Sequence, residues 1–242
     1  MSLERLDKLL ASRGTASRSD VKKLIAKGRV TVNGVVVKNS NVKVNSEQDI
    51  IVADGKTLDT KEYIYLMMNK PAGVVSATED NFDKTVIDII PQKYRRKGLF
   101  PVGRLDKDTE GLLIITNDGD FAHKVMSPKH NVYKTYYAEI DKPIDQSDIE
   151  AFQNGIVFKD GTVCKKAFLQ KIADGEHPVV EVKICEGKFH QVKKMLLSRG
   201  KKVVYLKRTA IGKLKLDVTL NKGEVKNLSI LDINNIFIDD LH

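Results

Sequence analysis

Asn33-Gly34 stands between Val30-Thr31-Val32 and Val35-Val36-Val37. Two β-branched runs joined by two residues that tolerate left-handed backbone predict a tight β-hairpin and little else. Upstream, Leu6, Leu9 and Leu10 recur at helical spacing, and Gly14 predicts the stop. Ser17 predicts the cap of a second helix, with Asp20 in its first turn, Val21, Leu24 and Ile25 on its apolar face, and Gly28 at its end. Helix, helix and hairpin together form one small unit. Residues 45–62 are polar and acidic apart from Ile50-Ile51-Val52, which predicts a last short strand and then a linker.

These patterns divide the chain into a unit at 1–58, a linker to about 62, and a larger unit at 63–242. In the larger unit, strands are expected at Tyr63 to Met68, Leu112 to Thr116, Tyr136 to Ile140 and Val179 to Ile184. Their order lacks βαβ regularity, and neither a GxGxxG nor a GxxxxGKS/T motif occurs. The expectation is an α+β fold on a mostly antiparallel mixed sheet, without nucleotide-dependent chemistry.

Charge adds a functional constraint. The 242 residues carry 41 Lys and Arg against 32 Asp and Glu, a formal +9. Residues 1–44 hold +7 and residues 187–215 hold +10, with no acidic residue in the latter, which leaves the rest at −8. Two basic stretches on an otherwise acidic chain predict two contact surfaces for a polyanion. The two cysteines, Cys164 and Cys185, lack metal-site spacing, so neither a disulfide scaffold nor a zinc site is expected. No signal-peptide-like start and no long apolar run are seen, and a cytoplasmic protein is the expectation.

The segment RLDKLLASRGTASRSDVKKLIAKGRVTVNG resembles the S4-like RNA-binding domain in both order and spacing. That resemblance implies RNA contacts from Arg5, Lys8, Arg18, Lys22, Lys23 and Arg29. Downstream, the first nine residues of GRLDKDTEGLLIITNDG pack three carboxylates between glycines beside an apolar run. On pattern alone this is a charged loop at a sheet end. It also resembles the signature of pseudouridine synthases, in the group that modifies ribosomal RNA with an attached S4-like domain. Asn69 to Val74, Lys134-Thr135-Tyr136, the stretch EGKFHQVKKM at 186–195, and Leu206, Arg208 and Ile211-Gly212 match further motifs of that group in the same order.

The resemblance implies an enzyme that converts uridine to pseudouridine, an isomerisation needing no cofactor and no metal. Asp106 would be the catalytic carboxylate and Lys193 its cationic partner. Attack on the ribose, attack on the base and a glycal route all remain open. Because the base must leave its stack, Arg104 would fill the vacated space and Tyr136 would stack on the flipped uracil. Lys134, Lys188, His190, Gln191, Lys194, Leu206 and Arg208 would contact the substrate RNA. Lys188, Lys194 and Arg208, with Lys201, Lys202 and Lys207, would form a phosphate-binding surface beside the cleft.

FHQVKKM resembles the synthases of small-subunit RNA, whereas large-subunit types carry an asparagine-arginine pair where His190-Gln191 stands. The implied substrate is one uridine of bacterial 16S ribosomal RNA, presented on a 30S assembly intermediate to a monomeric enzyme. A 23S-directed synthase of the same group is the near alternative. A non-catalytic RNA-binding ribosome-assembly factor is the alternative from another class.

Overall fold

The computed structural model describes residues 3–12, 16–46, 48–58 and 63–238. Two compact units emerge: Met1–Ile64 with Arg95–Gly98, and Tyr65–Tyr94 with Leu99–His242.

The first unit runs β1 (Leu3–Arg5), α1 (Leu6–Ser12), α2 (Arg18–Ala26), β2 (Val30–Val32), β3 (Val35–Val36), β4 (Lys43–Asn45), β5 (Ile51–Ala53) and β6 (Lys56–Thr57). Ser17 caps α2 by accepting the Asp20 N–H, and Gly28 follows the helix at φ +70°. The expected stop at Gly14 lies outside the described residues. Leu6, Leu9, Leu10, Val21, Ile25, Val30 and Ile51 close a core of their own.

Asn33 and Gly34 adopt φ +52° and +81°, and Val32 faces Val35 across the ladder. These are the two left-handed residues of a tight hairpin. The Asn33 side chain also fixes the next strand, accepting the Ile50 N–H at 2.9 Å and donating to Asp49 at 2.9 Å. β5 then pairs with β2. Past β5, Asp54-Gly55 makes a second left-handed turn, at φ +53° and +74°, into β6.

The second unit continues with β7 (Tyr65–Lys70), β8 (Phe100–Pro101), β9 (Glu110–Thr116), α3 (Gly119–Met126), β10 (Lys134–Ile140), α4 (Gln146–Asn154), β11 (Phe168–Ala173), β12 (Val179–Ile184), α5 (Gln191–Ser198), β13 (Val203–Ile211), β14 (Leu214–Lys215), β15 (Val225–Asn227) and α6 (Ile230–Asn235). Its main sheet follows the order β11-β12-β10-β13-β9-β7-β15, with β14 on β13 and β8 on β9. Only the β13–β9 pairing is parallel among the described strands. The architecture is α+β on a mostly antiparallel mixed sheet. All seven residues of β9 are buried, as expected of a central strand covered on both faces. Met67, Leu112 and Ile114 pack against Phe121 and Val125 of α3 and against Ile236. No described helix is long and apolar enough to cross a membrane.

At the parallel junction Gly111 sits opposite Arg208 with φ +101°, and a Cβ there would lie 2.2 Å from the Arg208 carbonyl oxygen. Both the dihedral and the approach require glycine. Gly111→Ala is expected to cost about 3 kcal/mol or more in urea denaturation. Gly34→Ala, strained in φ but open to solvent, is expected to cost only about 1 kcal/mol. Equal losses would contradict the steric account.

Candidate active site

Residues 102–109 form the loop between β8 and β9, and the polar groups beneath it hold its shape. The Lys70 side chain, fully buried at the end of β7, donates to the carbonyls of Thr109 (2.8 Å), Asp106 (3.0 Å) and Pro71 (3.0 Å). The Ser76 hydroxyl donates to the Leu105 carbonyl and accepts the Leu105 N–H, at 2.9 and 3.1 Å. The Gly73 N–H donates to the Lys107 carbonyl at 2.8 Å. Burial pushes Lys70 down to about 8 despite the nearby carboxylates of Asp108, Asp106 and Glu110. Keeping that ammonium charged costs on the order of 3 kcal/mol, offset by the carbonyls it satisfies. Lys70 belongs to the motif at Asn69 to Val74, but nothing local to it in sequence marks its side chain for the Asp106 loop.

This clasp presents Asp106 to a cleft. Lys193, in the first turn of α5, holds its Nζ 3.1 Å from Asp106 Oδ2 and 2.6 Å from Asp108 Oδ1. His190 Nε2 lies 3.5 Å from the other Asp106 oxygen. Burial opposes the charge on Lys193, but its bonds to Asp108 and Asp106 raise its pKa above the ordinary lysine value. Partial burial would raise Asp108, yet Lys193 keeps it below the usual carboxylate range. One cation therefore serves two carboxylates, and Asp108 is a partner that the sequence reading missed. His190 meets an acidic partner, Asp106, from a loop 84 positions earlier. It occupies left-handed backbone at φ +53° and stacks on Phe189 with ring centroids 3.8 Å apart.

The cleft encloses about 700 Å³, and Arg104, Asp106, Lys134, Tyr136, His190 and Arg208 are among its walls. That volume lies in the range of small-ligand sites, about 300–1,000 Å³. Asp106, Tyr136, Lys193 and Leu206 share an adjoining hollow. Tyr136 pairs with Arg208, and Ala138 with Leu206, across β10 and β13. Side chains opposite one another share a sheet face, which puts Tyr136, Leu206 and Arg208 on the cleft side. Tyr137 and Lys207 line a hollow on the other side.

Several expected RNA contacts are otherwise engaged. Gln191 is buried; its amide donates to Glu186 at 2.8 Å and its oxygen accepts the Lys188 N–H at 2.8 Å, closing the 186–191 turn. Lys188 pairs with Glu186 at the cleft wall. Lys134 turns inward to the Val125 carbonyl at 3.2 Å, and Arg208 donates Nε–H to the Leu112 carbonyl at 2.8 Å. Lys194 lies over the Phe189 and Phe158 rings, beside a separate hollow. Lys201 pairs with Asp148. The expected phosphate surface is therefore not one surface, because these side chains leave their elements in different directions.

In the small unit, Arg5 and Arg18 both reach the buried Asp7, at 2.9 and 3.3 Å. Arg29 pairs with Asp54 at 2.5 Å and Lys23 with Asp20 at 3.4 Å. Lys8 and Lys22 are exposed, and neither joins an ion pair among the described residues.

Burial also pushes Lys134 down to about 8, with the Arg208 charge adding to the shift. A folded-state pKa below the unfolded value means that the native protein binds fewer protons between about pH 8 and 10.5, so this contribution to stability rises with pH in that window. Lys134→Met is accordingly expected to gain about 1–3 kcal/mol on the wild type at pH 7, an advantage that shrinks by pH 9.5. Urea denaturation at both pH values measures it, and a pH-independent difference would refute the assignment.

Residues 64–198 match the RNA pseudouridylate synthase family and residues 4–51 match the S4 domain. An RNA pseudouridine synthase of Bacillus subtilis is 43% identical over 93% of this chain and 95% of its own length. The ribosomal small subunit pseudouridine synthase A of Vibrio cholerae is 37% identical, covering 96% and 99%. The ribosomal large subunit pseudouridine synthase B of Bacillus subtilis is 34% identical, covering 97% and 96%. A crystal structure of a pseudouridylate synthase superposes with a TM-score of 0.67 at 35% identity, covering 96% of this chain and 99% of that one. With a clasped carboxylate in its cleft and these likenesses along nearly its whole length, the chain belongs to the RNA pseudouridine synthases that carry an S4 domain.

Proposed function

We propose that this enzyme isomerises one uridine of bacterial 16S ribosomal RNA, on a 30S assembly intermediate in the cytoplasm, acting as a monomer. The observation that carries the reading is the Asp106 carboxylate at the cleft, with Lys193 at 3.1 Å. The Lys193 ammonium holds that carboxylate in place at the cleft, and a positioned carboxylate can act as a nucleophile or a charge stabiliser. The uridine flips into the cleft and stacks on Tyr136, and Arg104, exposed two residues before Asp106, takes its place in the RNA. The choice of the small-subunit substrate rests on the resemblance of FHQVKKM, with its His190-Gln191 pair, to the small-subunit type, and His190 lies 3.5 Å from the carboxylate.

Nucleotide-resolution pseudouridine mapping of ribosomal RNA, from cells with and without the protein, tests the reading. One 16S site is expected to disappear and to return with the wild type but not with Asp106→Asn. The purified variant is expected to lose at least about 10³-fold in rate while retaining RNA binding. Loss of a 23S site would overturn the choice of substrate. An unchanged map would favour an assembly factor.

In the S4 domain, Lys8 and Lys22 are the expected phosphate contacts, because Arg5 and Arg18 are drawn to Asp7. The Lys8→Glu/Lys22→Glu double variant is expected to weaken RNA binding at least tenfold and to flatten its salt dependence by about two units of log–log slope. An unchanged salt slope would exclude that role.

A further inference from the structure

Lys134 and Arg208 are only 4% and 3% exposed, both line the cleft that contains Asp106 and Tyr136, and neither pairs with a carboxylate among the described residues. Arg208 Nη2 is buried without a hydrogen-bond partner. Glu186, an acidic group that lines the same cleft, is already engaged by Lys188, Gln191 and the Lys165 N–H. Lys70, the third buried cation nearby, spends its protons on carbonyls. A group of buried positive charges without counterions is costly. An apolar floor beneath a stacking tyrosine would serve binding alone and avoid that cost.

From this juxtaposition we propose that Lys134 and Arg208 stabilise the uracil while it is detached from the ribose, as an anion. The inference rests on the proposed reaction. When the N1–C1′ bond breaks, its electron pair leaves with the base, and the negative charge spreads over N1, O2 and O4. C1′ is compensated by the Asp106 carboxylate or by loss of its neighbouring proton. The turned base uses that electron pair to form the C5–C1′ bond as the Asp106 carboxylate leaves C1′, or as C2′ regains its proton. C5 then loses its proton and N1 gains one, so the product is an isomer. Positive charge already fixed at the floor favours the state with the detached base over the bound substrate, which is neutral at that position, and so acts on rate rather than affinity.

The test compares single-turnover rates and RNA affinity for Lys134→Met, Arg208→Met and Arg208→Lys. The target RNA carries either uridine or 5-fluorouridine at the modified site, and consumption of that nucleoside is followed in nuclease digests. Fluorine stabilises the base anion by itself, so the help needed from the protein is smaller. Both Met variants are expected to bind RNA within threefold of the wild type. They are expected to lose 10- to 100-fold in rate on uridine and at least fivefold less than that on 5-fluorouridine, with partial recovery in Arg208→Lys. Equal losses on the two RNAs would overturn the inference, as would weakened binding at an unchanged rate. Arg208→Met deprives the Leu112 carbonyl of its donor; if it fails to fold, Lys134→Met decides alone. A wild type inactive on the 16S target would count against the substrate reading, whereas the ratio between uridine and 5-fluorouridine is measured on whichever RNA the wild type modifies.

Discussion

Lys70 ties the end of β7 to the loop that carries Asp106, by donating to the carbonyls of Asp106 and Thr109. An ammonium can satisfy three acceptors at once, which suits a short loop turning back into a fully buried strand. The same loop is fixed by Ser76 at Leu105, and the strand it enters meets β13 at Gly111 with no room for a methyl group. The position of Asp106 is therefore set by backbone constraints on both sides. Lys193 and His190 then come to meet it from another part of the chain.

Charge is distributed differently from its density in sequence. The basic stretch 187–215 separates on folding into a lysine on the carboxylates (Lys193), a lysine on aromatic rings (Lys194), a lysine paired with Asp148 (Lys201) and an arginine under the cleft (Arg208). In the S4 domain Arg5 and Arg18 serve a buried Asp7 in the same way. A count of basic residues measures what a polyanion could meet at a distance. It does not tell which residues it touches.

Local rules made parts of the chain readable. Asn33-Gly34 and the Ser17 cap each act over a few residues, and the four expected strands correspond to β7, β9, β10 and β12. Asp54-Gly55 carries the same signal as Asn33-Gly34, but it stands in a polar, acidic stretch without a β-branched run after it. The roles of Lys134 and Arg208 were less accessible. Alternation along a strand puts Lys134 on the face of Tyr136, but only the β10–β13 register joins that face to Arg208. The approach of His190 to Asp106 depends on contacts across 84 residues, and no local pattern encodes it.

The left-handed backbone at His190 limits what evolution can place there. Histidine and asparagine are among the few side chains that populate this conformation readily, while a β-branched residue would strain it. Exchange between these two residues therefore alters the chemistry facing the carboxylate and leaves the path of the chain intact.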